Sequence, residues 1–211
     1  MGDRDEWLGN YIVARPSPIG DLAKRFEDLI SNAQREEELQ EFFTRHPFIL
    51  SQQLPHGTHV VPKFRFGGKY VSDFLISEIT SGGTFWILVE LEPVNAELVT
   101  KGGQLSQRVR EGVQQVRDWR SWLERNRDLA SRPVSQHGLG LGEIEGVWGW
   151  VIVGRRSQVT PRFNELRRQV STESNIDIMT YDRLLEWFKK RAGHWSAWDQ
   201  QFEAMQLKKD T

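Results

Sequence analysis

The sequence predicts an α/β (α+β) protein, a mixed central β-sheet flanked by helices. Three observations carry this. Apolar residues recur at helical spacing in several long segments and run continuously or alternate in shorter ones. The two kinds of segment follow one another as α-α-β-β-β-α-β-α-β-α, an order that packs most naturally as a sheet covered by helices. No repeat or low-complexity linker divides the 211 residues, a length that suits a single buried core with some decoration.

Residues 1–20 hold Pro16, Pro18 and Gly20 and read as an irregular lead-in. Asp21 is placed to cap a first helix carrying Leu22, Phe26, Leu29, Ile30 and Ala33 on one face. A second helix spans about 34–45, turns Leu39, Phe42 and Phe43 inward, and stops before Pro47. Val60–Phe66 and Lys69–Ile76 flank Gly67-Gly68, a pair suited to a type I′ hairpin turn. Phe85–Leu91 (FWILVEL) is apolar enough to be a strand buried on both faces. Gly102-Gly103 precedes a long helix over 105–127 with a stripe of Leu105, Val109, Val113, Val116, Trp119 and Leu123. A glycine-rich loop at 138–142 leads to a second buried strand, Val147–Val153. A helix at 161–170, a short strand at 176–180 and a helix from Asp182 follow. Trp195, Trp198 and Phe202 mark a terminal aromatic segment. The expected organisation is a lead-in over 1–20, one domain over 21–190, and a C-terminal aromatic helix or tail over 191–211.

Composition narrows the chemistry. The absence of cysteine excludes disulfides, thiol catalysis and zinc-thiolate sites, and fits a reducing cytoplasm, where the chain is expected to act. No run approaches the roughly 18 apolar residues of a membrane span, and the N-terminus lacks the pattern of a secretory signal. There is no phosphate-binding G-x-x-x-x-G-K-[ST] loop and no H-E-x-x-H. The five histidines form no ligand pair on one helix. With a net charge of −1, any nucleic-acid surface must concentrate its positive charge locally. Arg108, Arg110, Arg117, Arg120, Arg125 and Arg127 do cluster along the long helix.

The acidic residues in the strands need a reason to be there. Alternation puts Glu90 and Glu92 on one side of the third strand, about 7 Å apart, immediately before Pro93. Asp73 sits within the apolar run VSDFLI. Carboxylates in such surroundings are costly to desolvate unless a cation lies between them. Three of them converging from adjacent strands make a hard-oxygen site for Mg²⁺ or Mn²⁺. At about 100° per residue, Gln115 falls at the edge of the long helix's apolar stripe and Gln114 nearly opposite it. The same reckoning puts Glu38 at the edge of the second helix's stripe, with Glu37 and Glu41 pointing away. Arg108, Arg117 and Trp122 are candidates for holding a nucleic-acid backbone or stacking a base.

The acid-bearing helix, the hairpin with its aspartate, the strand with E-x-E and the helix with glutamine, in that order, resemble the PD-(D/E)XK nuclease superfamily. More closely, the stretches EEELQEFFTRHPFIL, VSDFLI, WILVELEP, KGGQLSQRVREGVQQVRDW, WGWVIVGRR and IDIMTYDRLLEW resemble the nuclease domain of Shedu antiphage-defence proteins, over about residues 35–190. The resemblance implies a restriction-endonuclease-like core, metal binding by Asp73 and Glu90, a Gln115 that orients substrate or water, and Glu38 as the helix-one glutamate. In place of the family's lysine, two residues after the second acid, stands Glu92. It would serve as a further metal ligand or a general base, and Lys101 or Lys63 would supply the missing positive charge. The function so implied is metal-dependent DNA endonuclease activity in bacterial antiphage defence, with DNA and further copies of the chain as partners. The alternative is a nuclease-fold module that binds DNA or assembles without cutting. A third reading, from a different class, is a protein-interaction domain docking through its C-terminal aromatics.

Overall fold

The structure, a computed structural model, describes residues 7–13, 19–54 and 57–191. The aromatic segment with Trp195, Trp198 and Phe202 lies outside the described residues. Helix α1 (Ile19–Asn32) is followed by α2 (Glu36–Arg45) and the single turn α3 (Phe48–Ser51). Helix α1 begins two residues ahead of Asp21. Asp21 is therefore not the cap but an acid in the first turn, where a negative charge suits the helix dipole.

Five strands form the central sheet: β1 (Gly57–Pro62), β4 (Phe74–Thr80), β5 (Gly83–Leu91), β6 (Gly146–Ile152) and β7 (Ile176–Met179), side by side in that order. The pairs β1–β4 and β4–β5 are antiparallel, whereas β5–β6 and β6–β7 are parallel. The sheet is mixed, as expected. The long hairpin does not run unbroken. After Pro62 the chain peels away into a separate two-stranded ribbon, β2 (Arg65–Phe66) with β3 (Tyr70–Val71). At its tip Gly67 and Gly68 carry φ of 53° and 81°, and Lys69 N–H donates to the Phe66 carbonyl. Positive φ at both central positions is what a type I′ turn requires.

Helix α4 (Gln107–Arg125), capped by Ser106, lies on one face of the sheet with α6 (Pro161–Ser174). Helices α1 and α2 and the helix over residues 181–191, α7, cover the other. Strand β5 is at the centre: Ile87, Val89 and Leu91 enter the α1/α2 core, and Trp86 and Leu88 enter the α4 core. This explains why its sequence is apolar throughout. A short helix, α5 (Arg127–Ser131), closes the far end of α4. Among the described residues no helix is long and apolar enough to cross a membrane.

Two glycines let α4 come close to the sheet. A Cβ on Gly149 would lie 2.3 Å from Val116 Cγ1 and 3.1 Å from Ile176 Cγ1. A Cβ on Gly112 would lie 2.9 Å from Val151 Cγ1. Gly149→Ala should therefore overpack this contact and lower stability by about 1–3 kcal/mol. Urea unfolding checks this, and Val116→Ala in the same chain should recover part of the loss.

Candidate active site

The carboxyl end of β5 is where acidic residues gather. Phe74 pairs with Val89 across the antiparallel ladder, so Asp73, one residue before β4, arrives beside Glu90. Asp73 Oδ2 accepts the Leu91 N–H at 2.7 Å, which ties the two chains together at this point. Its carboxylate also hydrogen-bonds Glu90. Glu92 continues the extended backbone, its N–H donating to the Ile152 carbonyl at 2.9 Å, while Tyr181 OH donates to the Glu92 carbonyl at 2.8 Å. All three acids are buried, with 6%, 8% and 3% exposure for Asp73, Glu90 and Glu92. Helix α4 reaches Glu92 through Gly112, where a Cβ would stand 3.2 Å from both Cγ and Oε1.

The fourth acid is Glu36. Half-buried in the first turn of α2, it interacts electrostatically with Asp73, Glu90 and Glu92. The expected residue, Glu38, is instead the helix's own cap: its Oε1 accepts from the N–H groups of Gln34 and Arg35 at 3.2 and 3.0 Å. A carboxylate used in this capping box does not face the other acids. Helical phase carried the signal, because Glu36 lies three residues before Leu39 and seven before Phe43, on the apolar face.

Other expected residues fall in mixed places. Gln115 does not reach inward: it is exposed, like Gln114, one helical turn beyond Glu111 and Gly112 on the same face. Arg108 does stand at the acids, interacting with Glu36 and Glu92 and paired with Glu111 at 3.7 Å. Arg117 lies at the other end of the sheet, where its guanidinium reaches Ser174 Oγ at 3.5 Å beside the start of β7. Trp122 packs against Phe66 with ring centroids 6.0 Å apart and lies under Gly67, so its ring is engaged by the β2–β3 turn. Trp119 stacks on Phe66 in the core. Lys101 is exposed on a turn. The lysine at the acids is Lys63, whose Nζ lies 2.5 Å from Asp73 Oδ1.

Electrostatics follow from this crowding. Burial, then the charges of Asp73, Glu92 and Glu36, push the Glu90 carboxyl up to about 10. Burial and the charge of Glu36 push Glu92 to about 7, against the opposing pull of Arg108. Glu36 is raised by burial and by Asp73, with Lys63 and Arg108 opposing. Among the described residues no three His, Asp or Glu side chains form a ready-made metal cage, so the test of fit is the chemistry of the donors. Oxygen donors that are buried, mutually repelling and short of positive charge fit a hard divalent cation, which would replace the proton on Glu90.

A mixed sheet with acids from three elements at the end of its central strand defines a class of α/β proteins with an oxygen-rich strand-end centre. The sequence matches the family model "Shedu protein SduA, C-terminal" over residues 33–185, and the chain belongs to that family. No curated protein matches it. Among solved structures it is similar to the restriction endonuclease FokI bound to DNA, at 9% identity and a TM-score of 0.40. That match covers 90% of this chain and 30% of the FokI chain.

The raised Glu90 makes stability depend on pH in a defined direction. A carboxyl whose pKa is higher folded than unfolded contributes fully below the unfolded value and loses that contribution as pH rises through the folded value. The metal-free protein should thus become less stable from about pH 5 to pH 9, with Glu92 acting in the same sense. Glu90→Gln, which keeps a donor toward Asp73 without the charge, should stabilise it by about 1–3 kcal/mol at pH 8 in EDTA. Urea midpoints across that range measure both effects, and a flat wild-type profile would contradict them.

Proposed function

We propose that this chain is a metal-dependent deoxyribonuclease of the PD-(D/E)XK type that hydrolyses phosphodiester bonds in bacterial defence against phage. One observation carries the reading: Asp73, Glu90 and Glu92 are almost wholly buried together, with Glu90 pushed to about 10. A fold that relied on those residues only for stability would do better with neutral ones. Membership of the Shedu family supports the same reading.

In this reading Asp73 and Glu90 hold Mg²⁺ or Mn²⁺, with Glu36 and Glu92 completing or flanking the set. Bound there, the metal supplies a more acidic water and stabilises charge on the phosphoryl oxygens. Glu92, held near neutrality, is matched to accepting a proton from an attacking water. Gly112 lies against its side chain, and the charge of Arg108 acts on its carboxylate. Arg108 faces where a phosphate backbone would approach. Gln115, exposed on the face of α4 that carries Glu111, meets the substrate rather than the acids. Tyr181, wholly buried and raised well above its ordinary value by burial and then by the acids, stays neutral and holds the Glu92 backbone.

A second reading rests on Glu92 standing where the superfamily has lysine: the domain binds DNA or assembles without cutting it. The two readings part in one assay. Plasmid, linear and single-stranded DNA and RNA are incubated with Mg²⁺ or Mn²⁺, and products are followed over hours. Asp73→Ala and Glu90→Ala should each lower DNA cleavage by about 100- to 1000-fold. Wild-type protein that shifts DNA in gels but yields no product with either metal would favour the second reading. Glu36→Gln should cost more activity than Glu38→Ala, whose effect should appear mainly as about 1 kcal/mol of lost stability from the missing cap hydrogen bonds. The reverse order would return Glu38 to the site.

A further inference from the structure

Away from the acids, the far end of α7 and the turn that follows α3 enclose a cavity of about 320 Å³. Its walls are Trp187, Lys190 and Arg191 from the helix and Gln52 and Gln53 from the turn. Spacings of three and four residues put the first three on one face of α7. Tyr181, which holds Glu92, opens the same helix. The helical rise therefore sets Arg191 about 15 Å from the end of α7 that meets the acids.

Each kind of lining residue is left with something to offer a ligand. Gln52 is 5% exposed, and its Nε2 makes only a long bond to the Ile49 carbonyl, at 3.5 Å. Gln53 Nε2 donates to the same carbonyl at 3.2 Å. The Gln52 side-chain oxygen is buried without a partner. An acceptor in that state costs free energy until a donor reaches it, and a small turn of the loosely bonded amide presents it to the cavity. Trp187 is half-buried against the α1/α2 core and carries Arg183 over its ring at 4.4 Å, which fixes the indole as a wall. Other charges of this helix are matched, since Glu186 pairs with Arg156 and Lys189 with Glu27. Lys190 and Arg191 are in no ion pair with a described residue.

We propose that this cavity binds a free mononucleotide with an amino-bearing base: the base lies against Trp187 and donates its amino N–H to Gln52, and the phosphate takes Lys190 and Arg191. An aromatic wall suits any base, because every base has a π-face. The amide oxygen adds selectivity for a donor at the base edge. The two cations at the end of the helix supply charge-assisted hydrogen bonds to phosphate oxygens. The volume is that of a small-molecule site, near the lower end of the usual range. This site is separate from the acids and does not depend on the nuclease reading.

Isothermal titration of the full 211-residue chain in EDTA tests the site without reading cleavage. AMP should bind, and Trp187→Ala should weaken it about 10-fold through the lost stacking surface. The double variant Lys190→Met with Arg191→Met leaves the core intact. It should weaken AMP about 10-fold while leaving adenosine unchanged. Wild-type protein should prefer AMP to the purine nucleotide that lacks the amino group, and Gln52→Met should remove that preference. Glu90→Gln should bind AMP as the wild type does, because the acids lie at the other end of α7. A chain that binds no AMP, or binds it equally well in the double variant, would overturn the proposal. So would binding confined to a 5′-phosphorylated single strand, or seen only once residues 192–211 are removed, since the strand or that segment would then be the occupant.

Discussion

The structure turns on the place where Asp73 meets the end of β5. A single carboxylate there accepts the Leu91 N–H, receives the Lys63 ammonium and bonds the Glu90 carboxyl. The first of these contacts joins the backbone ahead of β4 to the last residue of β5. The second fixes the bend at which β1 gives way to the β2–β3 ribbon. The third brings two acids together inside the protein. Each unit of pKa displacement corresponds to about 1.4 kcal/mol between protonation states, so the cluster works against the stability of the fold that contains it. The sheet and its two cores have to outweigh it.

The surrounding elements are arranged to hold this unfavourable cluster in place. Glu38 caps α2 and so fixes where that helix begins, which places Glu36 in the first turn on the inward face. The dipole of a helix start favours a negative charge, yet burial and the charge of Asp73 prevail and Glu36 is raised. On the opposite face of the sheet, Gly112 and Gly149 bring α4 down against β6 and Glu92. Without that approach, Glu92 would have room to turn out to solvent. Tyr181, at the start of α7, holds the Glu92 carbonyl from the side of the other core. Two separate cores thus converge on one strand end.

Much of this could be read from the sequence, and the exceptions have physical causes. A strand such as FWILVEL, apolar at every position but one, is intelligible only between two covering layers, and β5 has both. The break in the hairpin left no trace in the periodicity, because Phe64 and Phe66 are as buried after the bend as Val60 and Val61 before it. The run EEE presented three candidate acids within one turn. Helical phase placed Glu38 at the edge of the apolar stripe, but a glutamate three residues into a helix is also the standard partner of a cap, and Glu38 took that part, leaving Glu36 to face the acids. For Gln115, the helical wheel reported direction but not reach. It shares a face with Glu111 and Gly112, but the acids lie a turn nearer the helix start. The resemblance pointed to Lys101 or Lys63 for the positive charge, and nothing in a sequence shows which of the two a left-handed backbone will turn onto an aspartate.

Charge balance then says what such a cluster needs. Lys63 is paired with Asp73 and Arg108 with Glu111, which leaves Glu36, Glu90 and Glu92 in no ion pair with any described residue. Burial and mutual repulsion raise all three, Glu90 to about 10 and Glu92 to about 7, in a region largely closed to water. Screening by salt is weak there, and neither α2 nor α4 can retreat without breaking a cap or a close helix–sheet contact. A hard divalent cation would offset that repulsion. An acid at position 92 therefore belongs to the same arrangement as a lysine at position 63: the strand supplies the ligands, and the positive charge comes from the bend that the strand's neighbour makes on its way into the ribbon.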